Sequence, residues 1–484
     1  MSHLPRFSPK ALFALLLLAS VTLFFGLGRA PFLGSDEPRY AEIAREMWVS
    51  GDYVSPRLAG RLWLEKAPLL YWGQALFYSL LGANELAARL PSAVGALFLV
   101  LGLWACARRA LGEREGFFVG VAAASMLGII VFAHGASTDM TLCATLGGAL
   151  LCFWRATQSE KHAFVWILGA SAFTGGAMLA KGLIGPLLVA MIGTLWWIWA
   201  RPAPKFSFAT LGAALGVFLA VSAIWYGPVW ARHGEFFWNE FFVNHHFKRF
   251  SSNQYKHPQE VTFFVFIALV GALPWTPWLF PAAAEGATLR PRHNARDAFL
   301  AFAWVWALVP IAFFSLSESK LPSYILPSFP ALAILAGEAL SRGELVRRGW
   351  KPKWILLGGA SLMALIVVIA FAVYARQNEH KLSHRALVLG VASQMKAGET
   401  STVFRLPKTY EPVFYLQGRV VPGTGRHDTF VAEQPEDLLP LLQNGSLIVF
   451  CAPRDAPMLE NSPLFSAQLL GTQHKLRAYR LTLR

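Results

Sequence analysis

Eleven runs of apolar residues, each long enough to cross a bilayer, dominate this 484-residue chain. They lie near 11–28, 90–107, 116–133, 138–154, 163–180, 183–200, 207–226, 260–281, 298–315, 323–340 and 354–374. A helix rising 1.5 Å per residue needs about 20 such residues to span the hydrocarbon core, and no other structure built from so much apolar sequence satisfies its backbone there. Only 15% of the residues are charged and the mean hydropathy is +0.44, where a soluble chain carries about 25% charge. The class is therefore a polytopic α-helical membrane protein. Arg6 and Lys10 precede the first run, and no convincing small-residue cleavage site follows it, so an uncleaved first helix is expected.

The formal net charge of +15 is distributed in a pattern. Basic clusters occur at Arg6/Lys10, Arg108/Arg109/Arg114, Arg155/Lys161, Arg201/Lys205, Arg290/Arg292/Arg296 and Arg342–Lys353, which is every second loop. The positive-inside rule makes these cytoplasmic. It puts 29–89, 134–139, 181–182, 227–259, 316–322 and everything after 375 outside. The clusters form no single basic stripe, which argues against nucleic acid as a partner. The cysteines Cys106, Cys143, Cys152 and Cys451 form no CxxC spacing, so neither a disulfide framework nor a cysteine metal site is expected.

After residue 375 charged and polar residues return. Short β-prone runs at Ser401–Leu406, Leu447–Cys451 and Leu476–Leu483 alternate with helix-like stretches at Ser383–Met395 and Pro435–Leu442. The expected organisation is a transmembrane domain over 1–375 and a small α/β domain over 376–484.

The outer segments concentrate the candidate chemistry. Asp36-Glu37-Pro38-Arg39-Tyr40 follows the first span directly. Tyr40, Ile43, Ala44 and Met47 then recur at helical spacing, which predicts an amphipathic helix over Pro38–Trp48 with Glu42, Arg45 and Glu46 facing water. Ser35 or Asp36 would cap it, with Pro38 in its first turn. Glu65-Lys66-Ala67-Pro68 comes next, ahead of the short apolar stretch Leu69–Leu81, which either lies in the interface or joins the following span. Lys66 and Arg39 either snorkel to lipid headgroups or hold an anion. Asp139 is either a helix-cap acid or a site acid, with Ser137 and Thr138 available as alternative caps. Lys181 stands between two long apolar runs and calls for an anion or a carboxylate from elsewhere in the fold unless it snorkels. Lys320 and Tyr324 flank a proline at the edge of another span, where Tyr324 is either a belt aromatic or a phosphate donor. Asn244-His245-His246 is a weak metal signal, because adjacent histidines diverge on a helix. Phosphate-binding loops, dinucleotide fingerprints and nucleophile elbows are absent from the sequence, so a nucleotide donor held by this chain is not expected.

Taken together, Asp36-Glu37-Pro38-Arg39-Tyr40-Ala41-Glu42, Glu65-Lys66-Ala67-Pro68-Leu69-Leu70-Tyr71-Trp72, Ala136-Ser137-Thr138-Asp139, Ala180-Lys181-Gly182 and Ser319-Lys320-Leu321-Pro322-Ser323-Tyr324 occur in the order found in one family. The chain resembles the aminoarabinose (4-amino-4-deoxy-L-arabinose) lipid A transferases, which belong with the protein O-mannosyltransferase-like enzymes of the GT-C class. Ala67 stands where that family usually has the first proline of Lys-Pro-Pro. The resemblance covers about residues 10–375. It implies about 11–13 transmembrane helices, interfacial helices in the first outer loop, and a glycosyltransferase in the bacterial inner membrane with a periplasmic active site and C-terminal domain. The implied donor is a polyprenyl-phosphate sugar, transferred with inversion to lipid A or another envelope acceptor. Carried over by position, Asp36 is the central acid and Asp139 a second essential acid. Arg39, Lys66 and Tyr324 bind the donor phosphate, with Tyr40, Lys181 and Lys320 among the substrate-binding residues. Glu65 with His245 or His246 resembles a divalent-metal site, the one cofactor the resemblance admits. The competing expectations are a lipid-linked glycan flippase and a protein O-glycosyltransferase of the same fold.

Overall fold

The computed structural model describes residues 9–159, 161–201, 206–247, 259–292, 294–343, 351–422 and 431–484, without the side chains of 245–247, 443 and 444. Among these, seven helices are long and apolar enough to cross a membrane: Glu85–Leu111, Thr138–Thr157, Ala163–Lys181, Phe208–Asn244, Ala295–Ser315, Pro322–Arg342 and Pro352–Gln377. Two bent pairs, Glu113–Ala124 with Leu127–Ala133 and Phe263–Gly271 with Thr276–Gly286, are broken spans, and Pro9–Phe24 and Ile184–Ala200 are shorter apolar helices. Each of the eleven apolar runs falls on one of these helices.

The chain forms two compact units. The first comprises residues 1–25, 65–70 and 89–369. Its centre is aromatic: Trp154 stacks on Phe302 with ring centroids 5.6 Å apart, while the Trp196 and Phe299 rings meet Trp154 at 5.4 and 4.9 Å. Buried indoles there find carbonyl acceptors, Trp306 on Pro327 at 2.7 Å and Trp196 on Ala298 at 3.2 Å. The two broken spans answer each other's loss of helical hydrogen bonds. The Leu127 amide donates to the Leu273 carbonyl at 2.9 Å, and the Trp275 indole donates to Ser125 Oγ at 3.2 Å. A break in hydrocarbon is tolerated when protein groups satisfy it in this way. The Phe329 ring closes the junction; a Cβ on Gly271 would stand 2.2 Å from it.

One expected outer loop is a helix. Residues 227–244 continue the Phe208–Asn244 span, with a kink at Gly234 (φ +47°), instead of forming the first part of a 227–259 loop. Trp225, Tyr226, Phe237, Phe241 and Phe242 pack ring against ring along it, with Trp225 and Phe237 centroids 5.5 Å apart. That apolar contact outweighs the charged residues that suggested a loop.

The second unit comprises residues 26–64, 71–88 and 370–484. A four-stranded sheet holds the order Thr400–Phe404, Leu447–Cys451, Leu476–Leu483, Phe465–Gln473. The first pair is parallel and the other two antiparallel. Three of these strands are the expected β-prone runs. Phe465–Gln473 is the addition: its Ser, Gln, Gly and Thr content and its exposed edge position give little alternation to read. Glu399, at the base of the first strand, accepts from Arg480 Nε and Ser446 Oγ, each at 2.7 Å.

The helix after the first span runs Asp36–Ser50 and is buried on nearly every face, which corrects the amphipathic expectation. Glu42 and Arg45 face away from water: Arg45 grips the Glu42 carboxylate with two bonds of 2.7 Å, and the two residues are 1% and 7% exposed. Burial pushes the Glu42 carboxyl up, to about 8, against the pull of Arg45. The Arg45 guanidinium lies beside Gly418, where a Cβ would come within 3.3 Å of it. Glu46 is part-buried and accepts from the Gly60 amide in the tight turn joining strands Arg57–Leu58 and Arg61–Leu62. Apolar Tyr40, Ile43, Ala44 and Met47 are buried as expected. Leu69–Leu81 is a helix of its own, ended by Gly82 at φ +74°.

Burial disfavours the Glu399 charge, but Arg480, the Lys396 amide and Ser446 together hold its carboxyl down at about 2, below the ordinary 4.5. A depressed carboxyl contributes stability that is complete above the unfolded value and lost as pH falls toward the folded one. The sheet should therefore lose stability between about pH 4.5 and 2. Pepsin cleavage within 465–483 over that range should rise steeply in the native protein. In Glu399→Gln it should start higher and rise less.

Candidate active site

Three loop ends of the first unit bring Asp139, Lys181 and Tyr324 together. Thr138–Thr157 is capped by Ser137, whose Oγ accepts from the Asp139 amide at 3.3 Å. With that amide capped, the Asp139 carboxylate is turned to other partners, as the choice of Ser137 over Thr138 requires. It takes the Lys181 ammonium in a short hydrogen bond and accepts from Ser137 Oγ at 3.2 Å. Lys181 is the last residue of Ala163–Lys181, where a cation also meets the negative end of the helix dipole. The chain then reverses within two residues. Gly182 adopts φ +72°, and a Cβ on Gly185 would strike the Ala177 backbone at 2.7 Å. These glycines let Ile184–Ala200 leave close beside the helix it follows, fixing where the lysine emerges. The Tyr324 ring, on the turn Pro322–Ser328, lies 5.5 Å from the Lys181 ammonium and 5.0 Å from the Phe314 ring. Lys181 thus reaches a carboxylate and an aromatic face instead of snorkelling away.

Glu65 and Lys66 belong to the same unit. Lys66 is buried and donates to the neighbouring Glu65 carboxylate at 2.7 Å. Three residues on, Leu69 packs against the Leu142, Ala177 and Ala180 cluster, which ties this segment to the two helices that carry Asp139 and Lys181. Lys320 is buried too, but its ammonium donates to the Ser317 carbonyl at 2.6 Å, closing the turn that leads to Tyr324. Among the described residues no three His, Cys, Asp or Glu side chains cluster as a metal site. The side chains of His245 and His246 lie outside the described residues.

Asp36, Arg39 and Tyr40 belong to the second unit. Arg39 donates to Asp36 Oδ1 at 2.7 Å and to the Tyr40 hydroxyl at 3.3 Å. Its guanidinium also lies over the rings of Tyr40, Trp63 and Tyr410 at 5.0, 5.5 and 5.5 Å. A cation seated among aromatic faces is held in place. Asp36 itself is largely exposed. Glu37 is different: buried, it accepts from the Leu33 amide at 2.7 Å and serves the helix start. Trp63 and Tyr410 escaped sequence reasoning, since aromatic residues are common in such chains and only the fold puts them around Arg39.

The pair Asp139–Lys181 should behave as one unit. Asp139→Asn and Lys181→Met should each lower the apparent melting temperature of the purified protein, and the double variant should lie above the sum of the two losses. The coupling expected for residues in direct contact is about 0.5–3 kcal/mol; additive losses would deny the contact.

Residues 65–226 match the family described as dolichyl-phosphate-mannose-protein mannosyltransferase. The undecaprenyl phosphate-alpha-4-amino-4-deoxy-L-arabinose arabinosyl transferase 2 of Pseudomonas fluorescens is 30% identical over 342 residues, which is 69% of this chain and 57% of that protein. The chain thus spans less than two thirds of the length of this curated relative. Among solved structures, ArnT from Cupriavidus metallidurans bound to undecaprenyl phosphate superposes with a TM-score of 0.82 at 24% identity, over 98% of each chain. The archaeal oligosaccharyltransferase AglB from Archaeoglobus fulgidus superposes with a TM-score of 0.51 at 13% identity, over 91% of this chain and 69% of that one. The chain thus shares the fold of ArnT and, in sequence, is similar to the aminoarabinose transferases and, over residues 65–226, to the protein mannosyltransferase family.

Proposed function

We propose that this protein is a membrane glycosyltransferase that moves a sugar from a polyprenyl-phosphate donor to lipid A or another envelope acceptor on the periplasmic face of the bacterial inner membrane. The observation that carries the reading is the Asp139–Lys181–Tyr324 cluster at converging span ends, with buried Lys66 in the same unit. Ionisable groups at a membrane edge are costly and are kept for function. The loop that ends each of these spans is on the outer side by the distribution of basic residues. The Pseudomonas relative's name specifies an undecaprenyl-phosphate-linked sugar, which supports the donor class.

In this reading the sugar's anomeric carbon is attacked as the bond to the polyprenyl phosphate breaks, and negative charge grows on that phosphate. Lys66 and Lys181 supply fixed positive charge for it, and the Tyr324 hydroxyl donates a hydrogen bond. Donors and cations aimed at developing charge are among the largest contributors to catalysis. Asp139 holds Lys181 at the end of its helix, so the ammonium needs little reorganisation when the donor arrives. Lys320 positions the turn that carries Tyr324. The sequence resemblance also implies roles for Arg39 and Tyr40 toward the donor phosphate and for Asp36 toward the acceptor. With a hydroxyl acceptor Asp36 takes the proton as general base. With an already anionic lipid A phosphate it orients the nucleophile or the sugar. A divalent ion on Glu65 and one of His245 or His246 would add positive charge at the phosphate; it would share the carboxylate that accepts from Lys66.

Transfer from radiolabelled polyprenyl-phosphate sugar, measured in membranes carrying equal amounts of each variant, tests the assignment. Lys66→Ala and Lys181→Met should each lower turnover by about 10²–10³, the range for removing one group that stabilises transition-state charge. Asp36→Asn retaining full activity would remove Asp36 from either role.

A further inference from the structure

Helices Ile184–Ala200, Leu279–Gly286 and Ala295–Ser315 of the first unit enclose an open groove of about 550 Å³. Leu195, Trp199, Gly286, Trp304, Leu308 and Ala312 are among the residues that line it. Its open side is apolar: Leu195 and Leu308 are about half exposed. Gly286 is required here, since a Cβ would stand 2.9 Å from the Trp304 indole nitrogen. Its absence lets that ring lie close against the helix and leaves the groove clear. From Trp304 to Ala312 the helix rises about 12 Å. Half of a 30 Å hydrocarbon core is about 15 Å. The groove therefore matches the depth of one leaflet.

One end of the groove is basic. Arg201 follows Trp199 by two residues, and Arg290 follows Gly286 by four. Arg292 donates through Nε to the Trp199 carbonyl at 3.2 Å, which fixes it at the rim. All three side chains are exposed. The nearby acids are engaged elsewhere: Glu285 by Arg296 and Arg342, and Asp297 by the Arg290 amide and by Arg296 at 3.6 Å. Arg292 at the rim, with Arg201 and Arg290 a few residues past the lining Trp199 and Gly286, thus puts positive charge at one end of an acyl-sized apolar slot.

We infer that this groove is a binding site for an anionic phospholipid, with an acyl chain along Leu195, Trp304, Leu308 and Ala312 and the headgroup phosphate on Arg201, Arg290 and Arg292. Basic pockets between membrane helices recognise anionic headgroups in this way. A zwitterionic lipid shares the chains but offers no net charge to the rim. The site lies in the leaflet bordered by the arginine loops and is separate from Lys66 and from Asp139, Lys181 and Tyr324, which stand at the other ends of their spans.

Native mass spectrometry of the full chain, released from micelles doped with phosphatidylglycerol or with phosphatidylcholine of the same acyl chains, tests this. One phosphatidylglycerol should be retained at least tenfold more strongly than phosphatidylcholine. Substituting all three exposed arginines (Arg201→Gln, Arg290→Gln, Arg292→Gln) should abolish that preference, and Val305→Trp, which fills the groove, should remove the bound lipid. Equal retention of the two lipids would overturn the proposal. So would a preference that survives the arginine substitutions, or one that survives Val305→Trp in protein of unchanged melting temperature.

Discussion

A lysine at the end of an apolar helix must be neutralised, hydrated or withdrawn, and the contact between Lys181 and Asp139 is how this fold meets that demand. Removing one partner from a poorly hydrated ion pair is strongly unfavourable, because the other is left charged without compensation. The consequence is geometric. Two consecutive helices, Thr138–Thr157 and Ala163–Lys181, must bring the start of the first level with the end of the second. Ser137 takes over the capping of the first, and Gly182 and Gly185 allow the second to turn back at once. Tyr324 and the Lys66 segment are then arranged around a fixed charge. The interaction that organises these helix ends is therefore also the one that fixes where their charge stands.

Much of this was legible in the sequence. The apolar runs coincide with the helices because hydrocarbon leaves the backbone no alternative. A cap at Ser137 or Thr138 and a partner for Lys181 follow from the chemistry of the residue types, and the structure has the Ser137 cap and the Asp139 partner. What local pattern could not reveal was burial by distant chain. Glu42 and Arg45 read as a wet face, yet residues near Gly418 cover them and the two charges pair. The helix past residue 226 was hidden for the same reason, since its support is aromatic packing between residues more than a turn apart. Strand Phe465–Gln473 is an edge strand whose composition carries no period, and its partner Leu476–Leu483 defines it. The aromatic seat of Arg39, built from Tyr40, Trp63 and Tyr410, is assembled by the fold alone.

Likeness and length bear differently on function. The fold matches ArnT along almost the whole of both chains. The curated Pseudomonas relative extends well beyond the aligned part. The relative's name specifies an undecaprenyl-phosphate-linked sugar. The chemistry of the donor is thereby better supported than the identity of the sugar or the acceptor, and Ala67 in place of the usual proline sits beside the lysine assigned to that donor.

The most direct test of the central claim is mass spectrometry of lipid A, other envelope glycans and polyprenyl-phosphate sugars extracted from cells with and without this protein. One sugar should disappear from an envelope acceptor when the protein is absent, while its polyprenyl-phosphate form accumulates. An unchanged set of acceptors and donors, in cells shown to make the protein and the donor, would contradict it.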